Sequence, residues 1–588
     1  MQMKKFLSAN EAVAHAVAQA GCVVASAYPG TPSTEILENV ATFKDTVKCE
    51  WAVNEKVAME TAIGASMAGA RAFTAMKHVG LNVAMDPLMT FTYVGATGGM
   101  VIVSADDPGM HSSQNEQDNR NLAKFARMLM LEPSDSQEAY DMTIEAFDLS
   151  EKFQVPVLIR LTTRTSHSSS IVDLGRFKPA PKALIPYVKN IKKTIPVPMF
   201  ARGHRIAAEE RSKAMEAEAV KSPFNKIERG KKTLGFVTSA VAYQYVKEIF
   251  PEYSILKLGW TNPLPKALIK KFAKSVDKLV VVEELDPFLE DQIKAMGISV
   301  VSHKTELNMF ELNADRLQNL RNELLKDVPK AKIAKPSSLP TRPPVLCAGC
   351  GHRSVFYILS KLGATVTGDI GCYTLGAFPP LNAMDTTICM GASIGNAAGM
   401  KKAGLKGRIC AVLGDSTFFH SGMTGILSAH YNGTPVTTVV LDNRITGMTG
   451  HQENPGSGKT LAGEDAPVTD IAQIAKACGY KKVVRVDADD LAELEKTLKD
   501  AMDGDEGALI IAYAPCRIAA KLTKEGLCEV DAEKCKACGM CFKMGCPAMT
   551  RGKEVRKGAY QMVIDPNQCA GCKQCSQVCK FGAIKRVR

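Results

Sequence analysis

The sequence predicts an α/β protein of several domains that ends in a small cysteine-rich domain. Two observations carry this prediction: three long segments alternate apolar strands with amphipathic helices, and the last part of the chain concentrates cysteines. At 588 residues, a prior of about 150 residues per domain suggests about four domains. No apolar run reaches about 18 residues, so no membrane contact is expected.

The first predicted domain, residues 1–175, is a doubly wound, mostly parallel sheet. Ser8 and Glu11 form a capping-box pattern before its first helix. Glu55 begins a helix of small residues, where a solvated first-turn glutamate and a functional carboxylate both fit the sequence. Strands are expected at 22–27, 48–53, 70–76 and 100–105.

The remaining chain divides by composition. Residues 176–230 are polar and are predicted to be a connector, and residues 231–334 form another α/β domain. Its Glu283 and Glu284 are expected to be solvated loop carboxylates rather than catalytic groups. The proline-rich residues 335–344 form a linker, residues 345–525 a third α/β domain, and residues 526–588 the cysteine-rich tail.

In the third α/β domain, one apolar strand leads into Gly414-Asp415 and the next leads into Asp442-Asn443. The intervening helix makes these strands parallel neighbours, so Asp415 and Asn443 are expected at the same sheet edge. Their oxygens, with a backbone carbonyl, suit Mg²⁺ that also binds a diphosphate. An ordinary crossover ending in polar turn residues is the alternative.

This arrangement resembles the thiamine diphosphate motif, with Ser416 in place of the usual third-position glycine. By this resemblance Asp415, Asn443 and the carbonyl of Ile445 hold Mg²⁺. Gly414, Ser416 and Thr446 complete the implied cofactor site.

The strongest signal is a pair of cysteine runs in the tail, at the spacing of a two-cluster bacterial ferredoxin. In that topology the fourth cysteine of each run binds the other cluster. Two zinc sites are the alternative, but three thiolates on one turn suit a [4Fe–4S] cubane better. Two departures, a four-residue spacing before Cys546 and Lys580 at the usual proline position, lie at run ends. The first tail set is Cys535, Cys538, Cys541 and Cys579, and the second tail set is Cys546, Cys569, Cys572 and Cys575.

Nine of the other ten cysteines fall into two groups. Cys347 and Cys350 lie in a glycine-rich segment, where a redox pair, zinc or a cluster are all open interpretations, and Cys372 and Cys516 sit in similar motifs. Five others are expected to be buried small hydrophobic residues: Cys22, Cys49, Cys389, Cys410 and Cys478.

The net charge of +12 is concentrated in the tail, where residues 517–588 contain 15 Lys or Arg and 6 Asp or Glu. Few aromatic residues accompany this charge, so nucleic-acid binding is not expected. Part of it would offset anionic clusters and part would steer an acidic protein partner. The N-terminus has no signal-peptide core, so the protein is expected to be cytoplasmic and without disulfides.

Thiamine diphosphate and iron–sulfur ligands on one chain suit oxidative decarboxylation. Nearly the whole chain resembles the 2-oxoacid:ferredoxin oxidoreductases. The motifs that carry this resemblance are Tyr28-Pro-Gly-Thr-Pro-Ser33, Glu55 with its small-residue helix, Cys347-Ala-Gly-Cys-Gly-His352, Gly368-Asp-Ile-Gly-Cys372, Gly414-Asp-Ser416, Leu441-Asp-Asn-Arg-Ile-Thr-Gly-Met-Thr-Gly-His-Gln452 and the tail.

The resemblance implies a pyrimidine-binding domain at 1–175, a transketolase-C-terminal-like domain at 231–334, a diphosphate-binding domain at 345–525 and a ferredoxin-like tail. It implies that Glu55, with Gly64 at the family spacing, bonds the aminopyrimidine ring, and that Thr31 lies near the substrate carboxylate. It also implies a third, proximal cluster. We call its ligands the proximal set: Cys347, Cys350, Cys372 and Cys516.

The arginine that binds the substrate carboxylate in pyruvate-specific relatives has no clear counterpart, since Ser104-Ala-Asp-Asp-Pro-Gly109 occupies its stretch. Lys77, His78 or Arg120 could replace it, which suits a bulkier aryl 2-oxo acid. The implied reaction converts indolepyruvate or phenylpyruvate and coenzyme A into an aryl-acetyl-CoA and CO₂, with electrons passing to ferredoxin.

A domain of single-chain relatives is missing, so a small partner subunit and a hetero-oligomer are expected. The alternatives are an oxidoreductase of pyruvate or another 2-oxo acid, a non-oxidative decarboxylase, and an electron-transfer subunit with a degenerate cofactor domain.

Overall fold

The computed structural model describes residues 3–176, 184–325, 340, 343–504, 506–521 and 526–587. These residues belong to two compact units, Met1–Ser337 and Ser338–Arg588. The division falls within the predicted linker at 335–344, most of which lies outside the described residues. No helix in the described ranges is both long enough and apolar enough to cross a membrane.

The first unit is built on two mainly parallel sheets. The larger has the strand order β12-β6-β7-β5-β4-β2-β3, antiparallel only at β12–β6, and the smaller has the order β13-β10-β11-β9, antiparallel only at β9. The doubly wound, mostly parallel prediction is confirmed. The strands are β1 Lys4–Ser8, β2 Val24–Ala27, β3 Lys48–Trp51, β4 Ala72–Lys77, β5 Met100–Asp106, β6 Leu129–Leu131, β7 Val157–Thr162, β8 Ser169–Asp173, β9 Lys226–Glu228, β10 Lys231–Ser239, β11 Tyr253–Leu258, β12 Trp260–Asn262 and β13 Leu279–Val282.

Helices cover the faces of these sheets. The predicted capping box at Ser8 and Glu11 is present at the first of them. The helices are α1 Ala9–Gln19, α2 Thr34–Val40, α3 Glu55–Met67, α4 His78–Val83, α5 Met85–Val94, α6 Arg120–Phe125, α7 Ser136–Phe153, α8 Thr163–His167, α9 Ile191–Thr194, α10 Pro198–Ala219, α11 Ala240–Ile249, α12 Lys266–Ala273, α13 Phe288–Ala295 and α14 Ala314–Leu324.

The segment predicted as a connector, 176–230, contains the 22-residue helix α10. This helix begins with Pro198 at its first turn and packs against α5. Its three buried residues, Ala208, Met215 and Ala219, lie seven and four positions apart, so one narrow stripe faces the core. The segment is mostly polar, so this narrow apolar stripe did not stand out in the sequence. The described part of the segment therefore contains a longer helix than a connector implies.

The second unit contains a six-stranded parallel sheet of order β15-β14-β16-β17-β19-β18 and a tail with the antiparallel pairs β20–β23 and β21–β22. Its strands are β14 Thr365–Gly368, β15 Thr386–Thr387, β16 Ile409–Gly414, β17 Thr437–Asp442, β18 Val483–Asp487, β19 Leu509–Tyr513, β20 Leu527–Val530, β21 Met549–Arg556, β22 Ala559–Ile564 and β23 Ile584–Val587. Its helices are α15 His352–Lys361, α16 Ala392–Lys402, α17 Asp415–Thr417, α18 Met423–Tyr431, α19 Ile471–Ala477, α20 Leu491–Met502 and α21 Gln574–Gln577.

The central strands of this sheet, β16 and β17, are buried at every position. Burial on both faces is typical of a parallel sheet between helical layers, and a separate hydrophobic cluster lies on each face. The two strands pair with Gly414 opposite Leu441. This register brings the residues that follow both strands to one edge, as predicted for Asp415 and Asn443.

The prediction that Glu283 and Glu284 are solvated is wrong, because the two residues are only 6% and 4% exposed. Glu283 accepts hydrogen bonds from Arg120 Nη1 at 2.7 Å and from the backbone N–H groups of Leu289 and Glu290. Glu284 Oε1 accepts from the Leu312 N–H at 2.8 Å. The sequence shows two adjacent carboxylates after a strand, but it does not show that Arg120, from a distant part of the chain, pairs with Glu283.

We predict opposite effects for Glu284→Gln and Glu283→Gln. Burial raises the pKa of Glu284 to about 7 from 4.5. Between these values the folded chain holds a proton that the unfolded chain releases, so this contribution to stability is present at low pH and falls as pH rises towards 7. Glu284→Gln should therefore leave the thermal midpoint unchanged at pH 5 and raise it at pH 8, measured by calorimetry.

Glu283→Gln is the matched comparison, and it should lower the midpoint at pH 8, where Arg120 loses a buried counter-charge. A lower midpoint for Glu284→Gln at pH 8 would mean that the ionised form of Glu284 stabilises the fold.

Candidate active site and electron-transfer cysteines

Asp415 begins the short helix that follows β16 and is 2% exposed. Its Oδ1 accepts from the Ser416 N–H at 2.7 Å and its Oδ2 from Asn454 Nδ2 at 3.3 Å. Burial raises the pKa of this carboxyl to about 7, and the charge of Asp442 adds to the rise. A bound cation would stabilise the ionised form in this setting.

The loop after β17 is tied to Asp415's helix. Thr446 Oγ1 donates to Ser416 Oγ at 3.0 Å, and Asn443 Oδ1 accepts from the Ile445 N–H at 3.2 Å. Arg444 between them has φ +63°, a left-handed conformation that is costly for a residue with a side chain. Such a conformation persists only where the surrounding structure holds the loop in place. Here it turns the chain between Asn443 and Ile445, two predicted metal ligands.

His352 is a site residue for which sequence reasoning gave no role. It is 7% exposed, and neither Nδ1 nor Nε2 has a hydrogen-bond partner among the described residues. Burial lowers its pKa to about 4, and the charge of nearby Asp415 opposes the shift. A buried polar ring without partners is costly, so its place beside Asp415 fits a bound ligand that carries polar groups. The motif around His352 was the only sequence signal for it.

The structure brings the proximal set together. Burial raises the pKa of Cys372 to about 12, and the nearby thiols of Cys350, Cys347 and Cys516 add to the rise. The Cys516 N–H donates to the Asn443 carbonyl at 3.1 Å. A Cβ on Gly447 would lie 3.6 Å from Asn443 Nδ2 and 3.7 Å from Cys372 Sγ. These cysteines therefore adjoin the loop that holds the predicted Mg²⁺ ligands.

The two tail sets are also assembled as groups. Burial raises the pKa of Cys541 to about 11, and the charges of the other three members of the first tail set add to the rise. All four members of the second tail set line one cavity. Each run therefore sends its fourth cysteine to the other group. Among the described residues, no group of three or more His, Cys, Asp or Glu side chains is close enough together to hold a single metal ion.

The second tail set lies directly against the proximal set. Gln574 Nε2 donates to the Cys350 carbonyl at 3.2 Å. A Cβ on Gly349, which has φ +73°, would lie 2.7 Å from Ala570 Cβ and 3.5 Å from Cys572 Cβ, so only glycine permits this approach. Cys538 of the first tail set, by contrast, is exposed.

Of the cysteines expected to be buried, Cys22 and Cys410 are buried, while Cys49 and Cys478 are half-buried. Cys389 is exposed, so the prediction is wrong there. It lies in a bend just before α16. A residue outside helices and strands has no apolar periodicity from which its burial could be predicted.

In the first unit, Glu55 is the first residue of α3 and is 5% exposed, so a solvated glutamate is excluded. The helix is capped by Asn54, whose Oδ1 accepts from the Val57 N–H at 2.9 Å. The carboxylate lies on the backbone of Gly80: a Cβ there would be 2.7 Å from Glu55 Oε1 and 2.8 Å from Cγ. Gly80 therefore permits the position of Glu55.

Lys77 ends β4 beside the loop that carries Thr31. A Cβ on Gly30 would lie 3.1 Å from Lys77 Cγ. Lys77 Nζ donates to the Ser112 carbonyl at 3.0 Å, and Ser112 Oγ donates to the Thr31 carbonyl at 3.4 Å. Burial lowers the pKa of Lys77, and neighbouring carboxylates, Glu55 among them, oppose the shift. Lys77, Thr31 and Glu55 thus share one neighbourhood.

The other two candidate cations for a substrate carboxylate are already committed. Arg120 is 1% exposed and bonds Asp118 at 2.5 Å and Glu283 at 2.7 Å. His78 is fully buried with Nε2 3.1 Å from the Asn115 carbonyl, and burial lowers its pKa to about 4. Neither offers a free positive charge at neutral pH.

Three families match the chain. Residues 15–223 match "Pyruvate flavodoxin/ferredoxin oxidoreductase, thiamine diP-bdg", residues 369–512 match "Thiamine pyrophosphate enzyme, C-terminal TPP binding domain", and residues 562–585 match "4Fe-4S binding domain". The chain is 39% identical to indolepyruvate oxidoreductase subunit IorA of Archaeoglobus fulgidus, over 100% of this chain and 98% of that protein. The chain belongs to the 2-oxoacid:ferredoxin oxidoreductase family.

The IorA subunit of Pyrococcus horikoshii is also 39% identical, over 100% of this chain and 97% of that protein. The solved 2-oxoglutarate:ferredoxin oxidoreductase from Magnetococcus marinus is 19% identical, with a TM-score of 0.48 over 55% of this chain and 65% of that chain. As a family member, the chain is a thiamine-diphosphate-dependent oxidoreductase with a 4Fe–4S binding domain. The predicted family and fold class are confirmed.

We predict that Gly80→Ala displaces Glu55. The added methyl group cannot occupy its space until the carboxylate moves, and displacement of a catalytic group by about 1 Å typically lowers turnover about 100-fold. Turnover of a 2-oxo acid should therefore fall about 100-fold, while the circular dichroism spectrum and the iron content stay unchanged.

Gly203→Ala is the matched control, because a Cβ at that helical glycine meets no atom of the described residues within 4 Å. Normal turnover in Gly80→Ala would show that the Glu55 carboxylate tolerates a different position.

Proposed function

We propose that this chain is the catalytic subunit of an indolepyruvate:ferredoxin oxidoreductase. It oxidatively decarboxylates aryl 2-oxo acids, such as indolepyruvate and phenylpyruvate, with coenzyme A, giving an aryl-acetyl-CoA and CO₂. Two electrons per substrate pass to ferredoxin. The observation that carries this proposal is the full-length 39% identity to a protein named indolepyruvate oxidoreductase subunit IorA.

The donor set in the second unit fits Mg²⁺ and a diphosphate. Asp415, Asn443 and the carbonyl of Ile445 would hold the ion, as hard oxygen ligands. Gly414, Ser416 and Thr446 would frame the diphosphate, and the unpartnered ring of His352 would hydrogen-bond it. When bound, thiamine diphosphate supplies the electron sink that loss of CO₂ requires.

In the first unit, Glu55 would hydrogen-bond the aminopyrimidine ring of the cofactor. Its burial and its seat on Gly80 fix one orientation of the carboxylate and keep water away from it. A carboxylate in such a position holds a proton at the ring without reorganisation during the reaction.

We assign binding of the substrate carboxylate to Lys77, together with Thr31. The commitment of Arg120 to its ion pairs and the neutrality of His78 support this choice among the three candidates. Lys77 Nζ donates to a neutral carbonyl, that of Ser112, and an ammonium group has further donor hydrogens for an anion. A flexible lysine in place of a rigid arginine fork leaves room for an aryl side chain.

The three cysteine sets would hold three [4Fe–4S] clusters in the order proximal set, second tail set, first tail set. The contact of Cys572 and Gln574 with the Cys347–Cys350 loop supports the middle position of the second tail set. The first tail set would be the exit. A groove beside it is lined by Lys543 and Lys580 and by the ion pair of Lys361 with Glu495, which leaves two lysines for an acidic acceptor such as ferredoxin.

A small partner subunit would complete the enzyme as a hetero-oligomer in the cytoplasm. The full-length relatives are named as subunits, which supports this expectation.

Lys77→Met should raise the KM for the 2-oxo acid about 10-fold to 100-fold, because a charged hydrogen bond to the substrate carboxylate is lost. Steady-state kinetics with indolepyruvate would measure the change, with iron content as the check on integrity. Lys77→Arg should retain most of the affinity because it keeps the charge.

Lys56→Met is the matched control and should leave the KM unchanged, because the side chain of Lys56 is 45% exposed and its ion-pair partner within the described ranges is Glu60. An unchanged KM in Lys77→Met would remove Lys77 from the substrate site.

The substrate class is tested by adding 2-oxo acids one at a time to the anaerobic holoenzyme with its partner subunit. Indolepyruvate or phenylpyruvate plus coenzyme A should bleach the visible iron–sulfur absorbance, and pyruvate or 2-oxoglutarate should bleach it little. Bleaching mainly with pyruvate would keep the family and overturn the aryl specificity. No bleaching, while dithionite still reduces the clusters, would favour an electron-transfer subunit.

A further inference from the structure

Cys528 belongs to neither cysteine run of the tail. It lies on β20, is 2% exposed, and lines the same cavity as all four members of the second tail set. Strand pairing with β23, in which Cys528 is opposite Arg586, fixes its backbone. A fifth thiol therefore faces a site whose four iron atoms need only four thiolates.

Two donors of Cys528 point at sulfurs of that site. Its backbone N–H donates to Cys569 Sγ at 3.4 Å. Its thiol is within hydrogen-bond reach of the Cys575 thiol. A cysteine thiol is a weak hydrogen-bond donor, and the sulfur of an iron-bound cysteine is an acceptor.

We propose that Cys528 is a positioning residue for the iron–sulfur cluster of the second tail set, donating hydrogen bonds from its N–H and its thiol to the ligand sulfurs of Cys569 and Cys575. This inference rests on the proposed assignment of the second tail set as cluster ligands. Cys528 is not itself a ligand.

The physical effect is on the reduction potential. Reduction adds a negative charge that spreads over the cluster and its ligand sulfurs, and a hydrogen-bond donor to those sulfurs stabilises the reduced form. Cys528 therefore raises the potential of the middle cluster. That shift makes the middle cluster a better acceptor from the proximal cluster.

The test is an EPR-monitored redox titration of the anaerobic holoenzyme carrying Cys528→Ala, which removes the thiol and keeps the N–H. We expect wild-type iron and sulfide content, a more negative midpoint potential for one cluster, and unchanged midpoints for the others. Cys528→Ser keeps a donor and should move the midpoint back towards wild type. Cys478→Ala is the matched control, since this half-buried cysteine lies at the end of α19, in the parallel-sheet part of the unit.

Two results would overturn the inference. Loss of about four iron atoms per chain in both Cys528 variants, with the Cys478 control intact, would make Cys528 a ligand. Unchanged midpoints at full iron content would make it a bystander. A wild-type holoenzyme without a second tail cluster would instead contradict the proposed function.

Discussion

Two buried arginines, Arg120 and Arg160, hold together the edge of the large sheet at which its parallel strands end. Arg160 bonds Asp106 and Glu132 at 2.7 Å, and Arg120 bonds Asp118 and Glu283. Buried charges are tolerated only when they are paired, so this edge can be assembled only with all of these groups in place. The same pairs anchor both ends of the loop from Asp106 to Asp118.

That loop determines what lies at the candidate substrate site. Its middle carries Ser112, which receives a hydrogen bond from Lys77 and gives one to the Thr31 carbonyl. The arginines hold the loop through buried ion pairs, whereas Lys77 donates to a neutral carbonyl. The proposed choice of Lys77 over the arginines thus follows from which cations have buried acidic partners rather than from residue type.

Much of this fold follows from local sequence signals. The parallel strands appear as apolar runs bounded by turn residues, and the capping box at Ser8 and Glu11 is a pattern of only four residues. The grouping of Asp415 with Asn443 follows from the crossover rule alone, since any helix between parallel strands brings their ends together. The cysteine runs carry their ligand spacing within a few residues.

What the sequence could not supply depends on contacts between distant residues. Glu283 is buried because Arg120, 163 positions earlier, pairs with it. A side chain at position 80 would collide with Glu55, and no local sequence pattern connects these two positions. Two further features depend on the folded structure. They are the His352 ring, whose nitrogens have no hydrogen-bond partner among the described residues, and the Cys528 thiol in the cavity of the second tail set.

The tail begins and ends in one ribbon, since β20 at its start pairs with β23 at its end. Both cysteine runs lie between these two strands, so the strand pairing closes the tail into a module with adjacent termini. A module of this kind can be gained by fusion or lost by truncation at a single junction while its own pairing survives. The tail is therefore a self-closed module, and the rest of the second unit must offer it a matching surface that includes Gly349 and the Arg353 side chain, which donates to the Met544 carbonyl.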